Sequence, residues 1–491
     1  MKANKMDSLI AKLEDAKLFR DLAYINGVWT DDGVEARQSV IDPATEKVFA
    51  KVPMLGASSA HKAIDAAKES LPSWRDKTAA ERGAILMRLF DLIKDNAQDL
   101  AKIMTAECGK PLSQSVAEVA YGASFVEWFA EEGKRVYGET IPATQADRRL
   151  IVIKQPVGVT AAITPWNFPF ACVLRKVAPA LAAGCTQVLK PAPETPFSAL
   201  AIAYLAAKAG VPAGVFSVIT GDAPAIGQVL TSHEAVRVVS FTGSTPVGKL
   251  LAKQCAEHVK RPALELGGNA PFIVFEDADI EDCVSELILS KFRNTGQTCV
   301  CANRIIVHES IFEAFSDALA SRISKMQVGP GAEDLDFGPM INRAGYDKVV
   351  RHVTDAFEKG ARAIVGGKPH ALGGLYYEPT VLTDLDPSMI IANEETFGPV
   401  APLFSFRTEE EALEMANNTS SGLAAYIYTK DYRRMFRVCE ALETGMVGVN
   451  AGVISNAVAP FGGVKESGIG REGSRHGMDD FLDLKYLHLK L

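Results

Sequence analysis

Val236-Arg237-Val238-Val239-Ser240-Phe241 is a short, strand-like apolar run, and the turn Thr242-Gly243-Ser244 follows it directly. A run with helical spacing starts at Gly248, so the stretch predicts a strand, a glycine-containing turn and a helix in succession. Backbone N–H groups at such a helix N-terminus favour a phosphate group. The spacing differs from Gly-x-Gly-x-x-Gly, and taken alone it fits a turn without a ligand better than a nucleotide site.

Strand-like and helical runs alternate on both sides of this stretch. Strands at 186–189 and 215–219 alternate with alanine-rich helical runs, which predicts βαβ units around a parallel sheet. A second series begins with Pro271-Phe272-Ile273-Val274-Phe275 and continues with a helix at 280–292, so a second α/β domain is predicted. The first third is predicted to be helix-rich, at 58–69, 79–95 and 113–133.

The composition narrows the class of protein. With 491 residues the chain is too long for one ordinary core, and 47% hydrophobic and 23% charged residues are typical of globular proteins. A formal net charge of −8 argues against a nucleic-acid partner, and no apolar run approaches the roughly 20 residues that span a membrane.

The termini and the cysteines indicate the compartment. Residues 1–18 read as a short amphipathic helix and lack the pattern of a secretion signal. The eight cysteines lack the spacing of a zinc site and the density of a disulfide framework. We therefore predict no metal and expect a cytoplasmic protein.

Seven short motifs follow one another along the chain. They are Pro165-Trp166-Asn167-Phe168-Pro169, Leu189-Lys190-Pro191, Phe241-Thr242-Gly243-Ser244, Glu265-Leu266-Gly267-Gly268-Asn269, Gly296-Gln297-Thr298-Cys299-Val300-Cys301, Glu395-Thr396-Phe397-Gly398-Pro399 and Pro460-Phe461-Gly462-Gly463. In this order they resemble the motifs of the aldehyde dehydrogenase superfamily. A chance match of so many ordered motifs is hard to obtain.

The resemblance implies an α/β fold with three parts. A Rossmann-type NAD(P)-binding domain would comprise residues 1–137 and 156–266, and a second α/β domain, the catalytic one, residues 267–473. A small β bridging element would comprise 138–155 and 474–491. In this family such an element serves oligomers, so we expect a homo-oligomer, a dimer or a tetramer.

Cys299 is the candidate nucleophile. A cysteine attacks as the thiolate, and a loop of small residues leaves its sulfur open to a substrate. A free cysteine is also often a small buried hydrophobe. The resemblance implies that Cys299 attacks the aldehyde, and that the Asn167 side-chain amide and the Cys299 N–H stabilise the oxyanion. It further implies that Glu265 activates the water that hydrolyses the thioester, and that Lys176 and Glu472 support proton transfer.

The cofactor implied by the resemblance is NADP or NAD. The residues implied to hold it are Trp166, Lys190, Gly243, Ser244, Gly248, Leu266, Glu395 and Phe397. Pro193 stands three residues after Lys190, where a glutamate in the family repels a 2′-phosphate, and Glu194 follows one place later. The chain is therefore expected to accept NADP. Glu395 as an exposed acid and Phe397 as a core aromatic are the alternative interpretation.

Arg175, Arg293 and Ser455 indicate the substrate class. In this family the three would face the aldehyde channel, and two guanidiniums beside an apolar tunnel need an anion as partner. This set resembles the succinate-semialdehyde dehydrogenases, and that resemblance covers residues 20–491. It implies a small semialdehyde with a distal carboxylate. Arginines that pair with acidic side chains for structural reasons are the alternative.

The resemblance thus implies NAD(P)-dependent oxidation of succinic semialdehyde to succinate, through a thiohemiacetal and a thioester on Cys299. Glutarate semialdehyde and 2-oxoglutarate semialdehyde are alternative substrates, because one methylene changes discrimination by only about 1–3 kcal/mol. A CoA-acylating enzyme fits less well, because it needs no hydrolytic base at Glu265. A catalytically inactive homologue with a structural or binding role is the alternative from another class.

Cys301 is a candidate for redox control. Two residues apart in an extended chain, the Cα atoms of Cys299 and Cys301 lie roughly 6.6–7.2 Å apart, at the upper edge of disulfide geometry. A bend would bring them together. The resemblance to redox-switched succinate-semialdehyde dehydrogenases suggests a strained, reversible disulfide, and the alternative is that Cys301 packs behind the loop.

Overall fold

The structure, a computed structural model, describes residues 5–491. The helix predicted at 1–18 is shorter: α1 spans Lys5–Ile10 and a 3-10 turn spans Ala16–Leu18, while residues 1–4 lie outside the described part. The further helices in the described part are α2 (Ala57–Arg75), α3 (Ala79–Asp95), α4 (Ala97–Cys108), α5 (Leu112–Glu132), α6 (Ala171–Ala183), α7 (Pro196–Ala209), α8 (Ala223–Ser232), α9 (Thr245–Ala256), α10 (Ile280–Phe292), α11 (Phe312–Ile323), α12 (Arg343–Glu358), α13 (Ile390–Asn393), α14 (Glu409–Asn417) and α15 (Tyr432–Ala441).

The strands alternate with these helices. They are β1 (Ala23–Ile25), β2 (Val28–Thr30), β3 (Arg37–Asp42), β4 (Lys47–Pro53), β5 (Glu139–Ile141), β6 (Arg148–Pro156), β7 (Val159–Ile163), β8 (Thr186–Lys190), β9 (Phe216–Val218), β10 (Val236–Thr242), β11 (Arg261–Glu265), β12 (Ala270–Val274), β13 (Ala302–His308), β14 (Arg362–Val365), β15 (Thr380–Thr383), β16 (Val400–Phe406), β17 (Ser421–Gly422), β18 (Ala424–Tyr428), β19 (Met446–Val449), β20 (Val464–Lys465), β21 (Gly468–Ile469) and β22 (Leu482–Lys490).

The first large sheet has eight strands in the order β2-β1-β9-β8-β7-β10-β11-β21. The five strands from β9 to β11 are parallel, and β1, β2 and β21 add antiparallel edges. Helices pack on both faces, so the central strands are almost entirely buried, as in other doubly wound sheets. The carboxyl ends of β7, β8, β10 and β11 meet at one edge, which is where such folds bind ligands.

The second large sheet has seven strands in the order β14-β15-β16-β13-β12-β18-β19. Its strands are parallel except for β14 at the edge. The loop of the candidate nucleophile Cys299, residues 293–301, which we call the nucleophile loop, lies between α10 and β13, and the segment of Glu395 comes just before β16. This sheet therefore presents both segments towards the carboxyl edge of the first sheet.

A three-stranded antiparallel sheet joins two distant parts of the chain. All nine residues of β22 pair with β6, and β5 pairs with the other side of β6. These strands lie in the segments 138–155 and 474–491 that were predicted to form a bridging element. The division of the chain into domains stays a prediction.

Two details differ from the sequence-based expectation. Helix α9 begins at Thr245, so Gly248 lies inside its first turn rather than ahead of the helix. A Cβ at Gly248 would lie 2.3 Å from the Leu266 side chain, which shows that this glycine permits close packing of α9. Helix α4 was not predicted. In the part of the chain that the structure describes, no helix is long and apolar enough to cross a membrane.

Candidate active site

The nucleophile loop begins with an unusual backbone conformation. Asn294 and Thr295 both have positive φ, at 51° and 58°, a conformation that costs free energy in residues with a Cβ. Gly296 continues with φ of 75°, and a Cβ there would lie 2.1 Å from the carbonyl oxygen of Gly398. This turn brings Cys299 to the surface of an internal cavity, where its side chain is partly exposed.

Asn167 is tied directly to this loop. Its Nδ2 donates to the carbonyl oxygen of Gln297 at 3.1 Å, and its own carbonyl oxygen accepts from Asn294 Nδ2 at 3.0 Å. The side-chain oxygen of Asn167 accepts from the N–H of Phe168 at 3.0 Å, which fixes the orientation of the amide. One of the two amide N–H groups remains available for a substrate oxygen.

Glu472 is a buried carboxylate between two cations. Its Oε1 accepts a hydrogen bond from Lys176 Nζ at 2.5 Å, and its Oε2 forms an ion pair with Arg175. Reciprocal backbone hydrogen bonds of 2.7 Å hold Glu472 against Phe461. Burial acts to raise the pKa of Glu472, but Arg175 and Lys176 outweigh it and hold this pKa below the ordinary value.

Glu265, at the end of β11, is also a buried carboxylate, but no cation is paired with it in the described part of the chain. Its Oε2 has no hydrogen-bond partner among residues 5–491, and a Cβ at Gly462 would lie 2.8 Å from its Oε1. Burial, reinforced by the nearby charge of Glu472, raises the pKa of Glu265 well above its ordinary value, and Arg175 offsets only part of this. The cluster thus separates one charged carboxylate from one that takes up a proton readily.

The Cys299 thiol also has a displaced pKa. Burial raises it to about 12, while the guanidinium of Arg175 acts in the opposite direction. The thiol is therefore protonated at neutral pH and needs a neighbouring base to become a nucleophile. Glu265 lines the same cavity as Cys299.

One cavity, which we call the aldehyde cavity, has a volume of about 240 Å³ and reaches Cys299. All three residues predicted to bind the substrate line it, namely Arg175, Arg293 and Ser455. Its other walls include Tyr121, Phe168 and Phe461. The structure therefore brings the predicted substrate residues together within one small, mainly apolar space.

The two arginines of this cavity differ in their partners. Arg175 is paired with Glu472, and its guanidinium lies 3.8 Å above the centre of the Phe461 ring. Arg293 lies 5.3 Å above the Phe168 ring, and its Nε is buried without a hydrogen-bond partner in the described part of the chain. The structural alternative of an internal acid partner therefore applies to Arg175, and Arg293 is the cation without a counter-charge among the residues that the structure describes.

A second cavity, which we call the nucleotide cavity, has a volume of about 250 Å³ and also ends at Cys299. Of the residues predicted to hold a cofactor, it is lined by Trp166, Gly243, Ser244, Leu266, Glu395 and Phe397. Glu395 accepts the Gly268 N–H at 3.2 Å, and burial raises the pKa of Glu395 to about 7. Phe397 has a positive φ of 57° and packs edge-on against Trp166, with 5.5 Å between ring centres.

Lys190 and Pro193 lie outside the lining of the nucleotide cavity. Lys190 is buried at the end of β8, its Nζ donates to the carbonyl oxygen of Pro191 at 2.8 Å, and burial lowers its pKa to about 8. Pro193 is exposed, and its carbonyl oxygen accepts from Gln38 at 2.8 Å. Glu194 accepts from Asn342 at 3.2 Å. Glu194 lies close enough to Lys190 for its charge to oppose the lowering of the pKa of Lys190, so the two charged groups are neighbours at the carboxyl end of β8.

Cys301 faces the protein interior behind the nucleophile loop. Its Sγ accepts from Lys291 Nζ at 3.4 Å, and both side chains are buried. Burial raises the pKa of Cys301, and the Lys291 ammonium opposes this rise. The side chain is thus held by partners other than Cys299, and the proposed redox switch stays a prediction.

The motif order, the two sheets and the cysteine between two cavities agree with one family. The aldehyde dehydrogenase family model matches residues 29–487. The chain belongs to the aldehyde dehydrogenase family. The resemblance inferred from the motifs is confirmed.

Three relatives of this aldehyde dehydrogenase match almost its whole length. A succinate-semialdehyde dehydrogenase (NADP+) of Escherichia coli is 55% identical over 481 residues, 98% of this chain and 100% of that protein. A glutarate-semialdehyde dehydrogenase of Pseudomonas aeruginosa is 54% identical over 479 residues, 97% of this chain and 99% of that protein. A 3-sulfolactaldehyde dehydrogenase of Pseudomonas putida is 56% identical over 479 residues, with the same two coverages.

A solved structure agrees equally well with the fold. The crystal structure of a succinate-semialdehyde dehydrogenase from Burkholderia pseudomallei has a TM-score of 0.97 and 56% identity, and the match covers 98% of this chain and 100% of that one. The predicted α/β fold, with a Rossmann-type part and a second α/β part, is confirmed.

The motifs did not reveal every residue that builds this aldehyde dehydrogenase site. Lys110 forms a buried ion pair with Glu118 and donates to the carbonyl oxygen of Asn167 at 2.7 Å. Glu118 also accepts the N–H groups of Phe170 and Ala171, at 2.9 and 3.1 Å, and so caps the helix α6 that carries Arg175. Lys110 and Glu118 are eight residues apart, but the backbone groups that they bind lie 52 to 57 positions away, so no local sequence signal marks this cluster.

Proposed function

We propose that this protein is an NAD(P)-dependent dehydrogenase that oxidises succinic semialdehyde to succinate. The observation that carries the proposal is Arg293, a guanidinium without an internal counter-charge in the described residues, on the wall of a small cavity that ends at Cys299. A partly buried cation beside an apolar wall calls for an anion. A short aldehyde with a carboxylate at its far end supplies it.

The names of the three relatives support an anionic aldehyde. Succinic and glutaric semialdehyde both end in a carboxylate, and 3-sulfolactaldehyde ends in a sulfonate. All three substrates are small and carry one negative charge away from the aldehyde. We place succinic semialdehyde first, because Arg175, Arg293 and Ser455 together resemble the set of the succinate-semialdehyde dehydrogenases.

The nucleotide cavity fits a nicotinamide nucleotide. It lies at the carboxyl edge of the parallel sheet, and Thr242 Oγ1 is a buried hydroxyl there without a partner among residues 5–491. Glu395 keeps one carboxylate oxygen free for a ribose hydroxyl, and Phe397 and Trp166 form an aromatic wall. Thr242, Glu395, Phe397 and Trp166 would hold NADP or NAD here, and the bound nucleotide would supply the hydride acceptor.

The chain's own residues perform the remaining steps of our mechanism. Cys299 gives up its proton to water in the cavity and, as the thiolate, attacks the aldehyde carbon, which forms a thiohemiacetal. The Asn167 amide and the Cys299 N–H donate hydrogen bonds to the oxygen that becomes negative. Oxidation of that carbon leaves a thioester on Cys299.

Hydrolysis of the thioester falls to Glu265. Burial and the charge of Glu472 raise the pKa of Glu265 well above the ordinary value, so this carboxylate takes a proton from water more readily than an exposed glutamate does, which suits a general base. Lys176 and Glu472, joined by a hydrogen bond of 2.5 Å, form a charged pair that stabilises proton movement at Glu265. The C–S bond then breaks, succinate leaves, and Cys299 takes up a proton and is restored as the free thiol.

We further propose that NADP is accepted. Glu194 is the acid nearest in sequence to the position that would repel a 2′-phosphate, and it is engaged with Asn342 at 3.2 Å. Lys190, the last residue of β8, adds a positive charge at the same edge of the sheet.

We also propose that the protein is a homo-oligomer, either a dimer or a tetramer, and that it is located in the cytoplasm.

The test is a set of specificity constants with both cofactors. We expect kcat/KM for succinic semialdehyde to exceed that for butanal, its uncharged analogue, by roughly 30- to 1000-fold. Glutaric semialdehyde and 3-sulfolactaldehyde complete the panel. If kcat/KM for butanal equals that for succinic semialdehyde, the protein is only a general aldehyde dehydrogenase. If kcat/KM is higher for another anionic aldehyde, that aldehyde is the substrate. An NAD preference above roughly a hundredfold would contradict the cofactor proposal.

A further inference from the structure

Tyr121 lines the aldehyde cavity, and no step of the proposed mechanism uses its side chain. It lies on α5, and its ring packs edge-on against Phe125 with 5.0 Å between ring centres. The Tyr121 hydroxyl is buried, Ser455 is the polar side chain beside it, and no hydrogen bond of good geometry joins the Tyr121 hydroxyl to Ser455 or to another group among residues 5–491. A buried hydroxyl without a partner costs free energy, so its persistence at a cavity wall calls for a partner from outside the chain.

The charges near this hydroxyl match an anionic partner. Burial raises the pKa of Tyr121, while Arg175 and Arg293 act in the opposite direction. The hydroxyl therefore keeps its proton and lies within the field of both guanidiniums. Ser455 lines the same part of the cavity. A neutral O–H group beside an unpaired guanidinium is a donor pair for a carboxylate.

Acidic groups near this position are already engaged. Glu118 also lines the cavity, but it pairs with Lys110 and accepts two backbone N–H groups. Glu472 is occupied by Lys176 and Arg175. Neither carboxylate takes the hydrogen bond of Tyr121 in the structure. The excess positive charge of the cavity therefore belongs to Arg293, next to an unused hydroxyl donor.

We propose that the Tyr121 hydroxyl donates a hydrogen bond to the distal carboxylate of the aldehyde, beside Arg293, and so helps to select acid-terminated substrates. The inference rests on the proposed function and adds a specificity-determining residue to it. A site built to donate a hydrogen bond discriminates strongly against a substrate that lacks the acceptor, because the donor is then left unpaired. Butanal leaves the Tyr121 hydroxyl as it is in the unliganded protein.

The experiment replaces only the hydroxyl. Tyr121→Phe should lower kcat/KM for succinic semialdehyde about tenfold, the effect expected for a hydrogen bond to a charged group, and leave butanal within about twofold. The Tyr121 hydroxyl makes no internal hydrogen bond of good geometry, so the melting temperature of the variant should stay close to that of the unaltered protein. Butanal turnover reports that the variant is folded and chemically competent.

Tyr428→Phe is the matched control. Tyr428 also has a buried hydroxyl without a partner among the described residues, but it stacks on Phe272 in the second sheet and does not line the aldehyde cavity. Removal of the Tyr428 hydroxyl should leave kcat/KM unchanged for both aldehydes. Inhibition of butanal oxidation by succinate gives a second readout: Tyr121→Phe should weaken it about tenfold.

Two results would overturn the inference. If Tyr121→Phe oxidises succinic semialdehyde as the unaltered enzyme does, the hydroxyl makes no contact with the carboxylate. If both aldehydes lose activity equally, Tyr121 has a structural role. The proposed function fails on a different observation, namely when the unaltered enzyme shows no preference for succinic semialdehyde over butanal.

Discussion

Two neighbouring buried glutamates have pKa values shifted in opposite directions. Glu472 sits between Arg175 and Lys176, which hold its pKa low, whereas Glu265 has an unpartnered oxygen and a raised pKa. Neighbouring carboxylates with divergent pKa values mark different roles in a mechanism. Glu265 has the protonation behaviour of a base, and Glu472 remains a fixed negative charge.

Our first prediction concerns this base. In Glu265→Gln, one equivalent of reduced cofactor should form per active site, and turnover should then stop because the thioester is not hydrolysed. Stopped-flow absorbance of the reduced cofactor measures both phases. Cys299→Ala is the control and should abolish burst and turnover alike. Equal loss of both phases in Glu265→Gln would remove Glu265 from the hydrolytic step.

The direction of the pKa shift of Glu265 predicts a pH dependence. A general base works only when deprotonated, so deacylation should slow as pH falls through the raised pKa of Glu265, well above the range of an ordinary carboxyl group. Single-turnover hydrolysis of the thioester between pH 5 and 9 measures this. A rate that stays constant down to about pH 5 would contradict the raised pKa.

The two arginines of the aldehyde cavity should respond differently to removal. Arg293→Ala should lower kcat/KM for succinic semialdehyde roughly 30- to 1000-fold and leave butanal within a few fold, because Arg293 has no internal partner. Arg175→Ala also removes a partner of Glu472, so activity with both aldehydes should fall. Parallel losses in Arg293→Ala would argue against the carboxylate contact.

At the scale of elements, the beginning of α6 depends on another helix. Glu118 on α5 accepts two N–H groups at this end of α6 and pairs with Lys110. Removal of one partner of a buried ion pair typically costs about 3–5 kcal/mol. Because α6 carries Arg175 and Lys176, its first turn sets the position of the charged cluster.

We predict that Glu118→Ala lowers the free energy of unfolding by about 3–5 kcal/mol and reduces kcat for both aldehydes. Chemical denaturation and steady-state kinetics measure the two effects. Glu131→Ala on the same helix is the control: Glu131 forms an exposed pair with Lys134, so it should cost about 0.2–1 kcal/mol and leave kcat unchanged. Similar losses in the two variants would show that the cap at α6 has no special role.

The elements themselves were largely predictable from sequence. Helix α10 spans the predicted residues 280–292, and strands β8 and β10 lie where apolar runs placed them. The alternation of apolar residues is a local signal, so one sequence suffices to read it. Lys176 and Glu472, by contrast, are 296 positions apart and meet only through the fold. The resemblance to the family pointed to both residues, but it did not predict that Arg175 and Lys176 both pair with Glu472.

At the scale of the whole molecule, the three-stranded sheet carries apolar side chains on its surface. In β22 and the last residue of the chain, Leu484, Tyr486, Leu489 and Leu491 are exposed to solvent, at 72%, 55%, 41% and 71%. Exposed apolar residues on a narrow sheet are typical of a subunit contact. They support the proposed homo-oligomer.

Our last prediction tests this contact. Leu484→Glu should shift the protein to a smaller species in sedimentation-velocity experiments, because a charge would be buried in the interface. Leu372→Glu is the control: Leu372 is 55% exposed on the loop between β14 and β15, and its replacement should not alter the sedimentation coefficient. An unchanged coefficient for Leu484→Glu would place the contact elsewhere.

The aldehyde cavity and the nucleotide cavity share only Phe168, Arg175 and Cys299 among their lining residues. The remaining lining residues therefore border one cavity and not the other. In evolutionary terms, such a lineage can acquire a new substrate by a few replacements while its oxidising machinery stays under purifying selection. The different substrates named for relatives that share more than half of this sequence are the outcome that such a partition permits.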